Sequence, residues 1–166
     1  MKAIIALGSN LGDRRANLAA GFAALGSLGP VTPSPLVMET ADESGLGPDY
    51  LNTVVLLETR LEDPAALLED LLRTELRVGR DRSVGRNAPR VLDLDVIAVE
   101  GCQGAWRWDT PPDLRSLGPV LELELPHPRA KGRSFVLEPL EALMRTLPEG
   151  RGLWMRLSPD PADPRP

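Results

Sequence analysis

Apolar and polar positions along this chain alternate between short, strand-length runs and longer stretches with helical spacing. Ala3-Ile4-Ile5-Ala6-Leu7 is a continuous apolar run, which predicts a buried central β-strand. Gly8-Ser9-Asn10-Leu11-Gly12-Asp13 then turns the chain, and Asp13 can cap a helix over Arg14 to Leu25, with Leu18, Phe22 and Leu25 on one face. Val31 to Thr40 reads as an edge strand, because Pro33 and Pro35 could not donate inside a central ladder. Ala41 to Asp49 is a polar, glycine-bearing loop able to serve as a lid. Tyr50 to Glu58 predicts a strand. Asp63-Pro64 starts an amphipathic helix through Val78, with Leu67, Leu68, Leu71, Leu72 and Leu76 apolar.

After that helix comes an arginine-rich loop, followed by a strand from Asp93 to about Val99. Glu100 to Gly118 reads as irregular, Val120 to Leu125 as a strand, Leu137 to Leu147 as a helix, and Trp154 falls in a short final element. The order β-α-β-β-α-β predicts an α+β, ferredoxin-like core: a mainly antiparallel sheet with helices packed on one face. Residues 1–157 are expected to form one domain, and the proline-rich 158–166 a flexible tail.

The most informative stretch is Gly79 to Ile97. Residues two apart on a strand face the same way, so Asp93 and Asp95 stand side by side while Leu92, Leu94 and Val96 point to the opposite face. Two such carboxylates repel each other unless a cation sits between them. Ligation by oxygen alone suits a hard ion such as Mg²⁺, which takes one or two carboxylates plus phosphate oxygens and water. Arg80, Arg82, Arg86 and Arg90 lie just upstream and supply forked donors for a polyphosphate. The pattern points to metal-assisted phosphoryl chemistry. The bland alternative is a solvated strand face whose acids pair with surface arginines.

Composition narrows the field. A net charge of −5 over 166 residues argues against a general nucleic-acid binder. The basic residues concentrate between Arg73 and Arg90, which suggests a local anionic ligand. One cysteine, Cys102, excludes an internal disulfide, and one histidine, His127, makes a zinc site a poor fit. No run is long enough for a membrane span. A cytoplasmic monomer acting on small molecules, with no nucleic-acid or membrane partner, is the expectation. No Gly-x-Ser-x-Gly is present to suggest a serine nucleophile.

Several motifs then converge. Arg86-Asn87-Ala88-Pro89-Arg90-Val91-Leu92-Asp93-Leu94-Asp95-Val96-Ile97 resembles the signature of the 6-hydroxymethyl-7,8-dihydropterin pyrophosphokinases. Gly8-Ser9-Asn10-Leu11 after the first strand, Tyr50-Leu51-Asn52 after a glycine-bearing loop, and Pro126-His127 with Arg133-Ser134-Phe135 resemble the same family. The resemblance runs from Gly8 to Phe135. It implies transfer of a diphosphoryl group from ATP to the hydroxymethyl of the dihydropterin in folate synthesis, releasing AMP.

The same resemblance implies roles for individual residues. Asp93 and Asp95 would hold two Mg²⁺ ions, and Arg80 and Arg90 would serve catalysis. Glu75, Arg80, Arg82, Val96, His127 and Arg133 would bind ATP. Thr40, Tyr50, Asn52, Asp93 and Phe135 would bind the pterin, Tyr50 and Phe135 sandwiching its ring. Asn87 stands where relatives carry an aromatic residue, and an insertion lies within about Gly101 to Gly118. Trp106 and Trp108 in that insertion either cover the sheet edge or replace the missing aromatic. Two other classes remain open on the residues alone: a ferredoxin-like RNA- or nucleotide-binding module, and an Mg²⁺-dependent nucleotidyltransferase that releases pyrophosphate.

Overall fold

The computed structural model of the protein describes residues 1–42, 45, 47–79 and 89–157. Strand β1 (Lys2–Ser9) sits in the middle of a sheet, hydrogen-bonded on one side to β4 (Tyr50–Glu58) and on the other to β5 (Asp93–Val99). That position explains its unbroken apolar run, since both of its faces are covered. The outer edge beyond β4 is split into β2 (Val31–Pro33) and β3 (Met38–Thr40), each paired with β4. Where the sequence reads one edge strand over Val31 to Thr40, the structure has two short ones, since neither Pro33 nor Pro35 has an amide for a ladder. The order is β2-β4-β1-β5 and every recorded pairing is antiparallel.

Helix α1 (Arg14–Gly26) follows β1, and the Asp13 side chain caps it by accepting the Ala16 N–H at 3.0 Å. Helix α2 (Pro64–Val78) is capped in the same way by Asp63, which accepts the Ala65 N–H at 2.9 Å, and it stops at Gly79 with φ +106°. With β2 and β3 counted as one broken edge, the chain from β1 to β5 is the expected ferredoxin-like βαββαβ unit.

Two features go beyond the sequence expectation. Helices cover both faces of the sheet, not one. Leu18 and Leu25 of α1 and Leu67 and Leu71 of α2 pack on Ile5, Leu7, Val55, Leu94 and Val96. On the other face, α3 (Ser134–Thr146) and α4 (Gly150–Leu157) bring Val136, Leu140, Leu143 and Leu153 against Ile4, Val54, Leu56 and Ile97. The two-residue period of β1 and β4 divides their residues between these cores, and on β5 a register shift puts both Ile97 and Ala98 in the second.

The second feature corrects the expected irregular insertion. Residues Gly104–Asp109 form β6, which pairs antiparallel with β7 (Val120–Leu125) around a 3₁₀ turn at Pro112–Leu117. Trp106 and Trp108 on β6 pack against the α1/α2 side of the core, and the Trp108 indole N–H donates to Glu69 Oε1 at 2.9 Å. They act as the hydrophobic cover. The position of Asn87, which one of them might have complemented, lies outside the described residues, as does the 158–166 tail. Among the described residues no helix is long and apolar enough to cross a membrane.

Candidate active site

The site is built where the sheet's α3-side face stops being apolar. Along β1 that face reads Ile4, Ala6, Gly8, and the partners of Gly8 are Asn52 on β4 and Asp93 on β5. Ala6 lies between Val54 and Asp95 in the same way. Asn52, Gly8 and Asp93 therefore form a row across three strands, with Asp95 two residues along β5 on the same face. Gly8 keeps that row open. A Cβ placed there would lie 3.0 Å from Asn52 Oδ1, 3.6 Å from Tyr50 Cδ1 and 3.9 Å from Asp93 Cβ. The Asn52 amide is aimed by Thr40, whose hydroxyl oxygen accepts from Nδ2 at 2.7 Å. Thr40, Tyr50, Asn52 and Asp93 thus lie together at this end of the sheet.

Arg90 reaches into the same place. Its Nη1 donates to Asp93 Oδ2 at 2.9 Å. Burial alone would lower its pKa, but the charge of Asp93, the hydrogen bond to it and the charge of Asp95 outweigh this and push it above the ordinary arginine value. The Arg90 backbone is held by Asn10: the Arg90 N–H donates to Asn10 Oδ1 at 2.7 Å, and the Asn10 N–H donates to the Arg90 carbonyl at 3.1 Å. Asn10 Nδ2 also donates to the Pro48 carbonyl at 3.1 Å. Asn10 is 1% exposed. In sequence the Gly-Ser-Asn turn reads as a simple chain reversal. In the structure its asparagine ties Pro89-Arg90 to the end of the 41–49 segment.

His127 and Arg133 lie on the chain between β7 and α3, Arg133 at the helix's N-cap. The His127 N–H donates to the Ile97 carbonyl at 2.8 Å, which fixes the residue beside β5. The Arg129 N–H donates to His127 Nδ1 at 3.2 Å, so a neutral imidazole carries its proton on Nε2. Burial, then the positive charges of Arg133 and Arg129, hold its pKa below the ordinary histidine value, with Asp93 acting in the opposite direction. Arg133 lies over the Phe135 ring, 5.3 Å from its centroid. Phe135 itself is half-buried against the Ile4/Val54 core.

Two predicted nucleotide contacts look different in three dimensions. Glu75 is 1% exposed, and its Oε1 accepts the Leu94 N–H at 2.7 Å. It grips the open edge of β5 midway between the two aspartates, where a solvated helix face would have been the ordinary expectation. Val96 is buried in the α1/α2-side core, so its side chain points away from the hollow and any nucleotide contact there is through the main chain. Arg80, Arg82, Arg86 and Asn87 lie outside the described residues.

The carboxylate pair suits a hard cation. Among the described residues no group of three or more His, Cys, Asp or Glu that could hold a metal ion is gathered. Two carboxylates beside arginine and histidine donors match an ion that shares its shell with phosphate and water.

Such an arrangement defines a class: a ferredoxin-like α+β protein with carboxylate, amide and guanidinium side chains gathered at one end of its sheet. Comparison with known sequences gives the particular family. The profile described as 7,8-dihydro-6-hydroxymethylpterin-pyrophosphokinase matches residues 4–145, and the chain belongs to that family. It is 36% identical to the 2-amino-4-hydroxy-6-hydroxymethyldihydropteridine pyrophosphokinase of Methylorubrum extorquens, over 84% of this chain and 80% of that protein. It is also 36% identical to the protein of the same name from Bacillus subtilis, over 83% of this chain and 75% of that one. The folate synthesis bifunctional protein of Chlamydia trachomatis is 29% identical over 84% of this chain, which spans 29% of that longer protein.

Proposed function

We propose that the protein transfers the diphosphoryl group of ATP to the hydroxyl of 6-hydroxymethyl-7,8-dihydropterin, yielding the pterin diphosphate and AMP for folate synthesis. Family membership supports the reaction. The observation that carries the assignment of residues is the row Asn52–Gly8–Asp93, with Arg90 bonded to Asp93 at its end.

In this reading Asn52 and Thr40 read the polar edge of the pterin, and Tyr50 and Phe135 flank its ring. Asp93 and Asp95 would hold Mg²⁺, two ions in all, which would supply charge neutralisation for the phosphates and acidify the acceptor hydroxyl. Arg90, Arg133 and the Nε2–H of His127 donate to phosphate oxygens and offset charge as the bridge between the α- and β-phosphorus breaks. Arg80 and Arg82 are assigned to the same task. Positioning and electrostatics carry most phosphoryl transfers, so the absence of a dedicated general base from this list is consistent.

The test is replacement of Asp93 or Asp95 by Ala, with AMP followed by chromatography in the presence of ATP, Mg²⁺ and the dihydropterin. Each variant is expected to keep its circular-dichroism spectrum and lose turnover. Wild-type turnover in both would overturn the assignment, and release of pyrophosphate by the unaltered protein would overturn the reaction.

A further inference from the structure

Arg14 breaks a local rule. It occupies the first position of α1, and Arg15 the second, where the helix dipole disfavours cations; the first turn contains no acidic residue. A charge placed against the dipole calls for a compensating contact elsewhere. The Arg14 Nη1 provides it, donating at 2.7 Å to the Asp49 carbonyl and lying 2.7 Å from Glu39 Oε1. Those partners bracket one segment. Glu39 is on β3, one residue before the chain leaves the sheet after Thr40, and Asp49 directly precedes Tyr50, where the chain returns. Thr40 and Tyr50 face each other as the last pair of the β3–β4 ladder, and Glu39 faces Leu51.

We infer that Arg14 is a positioning residue for the pterin side of the site: it clamps the two ends of the 41–49 segment and thereby fixes Thr40, Tyr50 and, through the Thr40 hydroxyl, Asn52. The naming of the pterin rests on the function proposed above; the clamp itself does not. Arg14 is separate from the Asn10 contact, because it bonds Asp49 and Glu39 where Asn10 bonds Pro48 and Arg90. Both acceptors are served by the one nitrogen Nη1, so an ammonium could donate to both, though from a shorter stem with a different direction.

The experiment uses Arg14→Ala, Arg14→Lys and Glu39→Gln in the full chain. For Arg14→Ala the KM for the dihydropterin is expected to rise about three- to tenfold, with the KM for ATP unchanged. Arg14→Lys should recover part of the loss, and Glu39→Gln, which keeps the Asp49 bond, should give about a twofold rise. The melting temperature should barely move, because the helix end is relieved of an unfavourable charge. Hydrogen exchange at the amides of residues 38–40 and 50–52 should quicken about tenfold in Arg14→Ala. A dihydropterin KM that stays at the wild-type value, or an ATP KM that rises in parallel, would overturn the inference. If the wild-type protein turned over no dihydropterin, the functional reading would fail on its own, and unchanged exchange at these amides would then overturn the clamp.

Discussion

Glu75 gives the sharpest quantitative prediction. Its carboxylate is buried in α2 and accepts the Leu94 amide at 2.7 Å, on the open edge of β5. Glu75→Ala removes the acceptor and leaves a buried N–H without it, a loss of about 1–3 kcal/mol. The cavity left by the shortened side chain adds to this, while relief from desolvating a carboxylate subtracts. A net loss of about 2 kcal/mol follows, equivalent to about a 1 M fall in the urea midpoint at the m-value of a small domain. Glu75→Gln keeps the shape and a carbonyl acceptor, so its loss should be about half as large. Urea unfolding followed by circular dichroism reads both. Turnover supplies the second readout: at 25 °C each variant should remain folded, yet β5 carries Asp93 and Asp95 on either side of the released amide, so kcat should fall in both. An Ala variant within about 0.5 kcal/mol of wild type would refute the reasoning, because that change matches an ordinary surface substitution.

Three further outcomes are expected. Gly8→Ala puts a methyl 3.0 Å from Asn52 Oδ1, so binding of the dihydropterin measured by calorimetry should weaken at least about tenfold, with ATP binding retained. His127 has a folded-state pKa below its unfolded value, so the unfolded chain takes up the proton first as pH falls; native stability should decline as pH drops below about 6.5, and His127→Gln should flatten that decline in urea titrations. Trp108→Phe removes the donor to Glu69 and should cost about 1 kcal/mol in urea unfolding, while turnover at 25 °C stays at the wild-type level.

Most of the fold is legible in the sequence because strand and helix periods leave different marks. The Tyr50–Glu58 and Val120–Leu125 strands and the Pro64–Val78 helix follow directly from pattern and punctuation. The insertion does not. Gly104-Ala105-Trp106-Arg107-Trp108-Asp109 alternates, but its flanking glycines and Pro111-Pro112 outweigh six residues of alternation when its partner strand is unknown. Site residues divide in the same way. Asp93, Asp95, Tyr50 and Asn52 can be read from a two-residue spacing and a motif. Glu75, Asn10 and Arg14 act on main-chain groups far away in sequence, at Leu94, Arg90 and Asp49, and backbone acceptors and donors leave no trace in residue type. The tie between α2 and the hairpin is hidden for a related reason. Arg73 has acids three and four residues before it on its own helix, yet it also bonds Asp113 Oδ2 at 2.6 Å, forty residues on.

One feature of the sheet accounts for where the chemistry can sit. On the α3-side face, Ile4, Val54 and Ile97 are buried, and four residues further along β1 the same face offers Gly8 with Asn52 and Asp93 beside it. Had that face stayed apolar to the strand ends, α3 could have extended over it and no hollow would remain. Polar groups placed deep in the core instead would each have needed a buried partner, at a cost of several kcal/mol for a carboxylate. At the margin Asp93 and Asp95 stay half-exposed and in reach of solvent, while Glu75 and Asn10 are buried and bonded to the backbone. Rigidity is thus supplied from the α1/α2 side and accessibility from the α3 side of the same strands. Substitution of Glu75 or Asn10 should therefore move stability and turnover together, and one on the α3 side, such as Asp95→Asn, should remove turnover with little change in the unfolding midpoint.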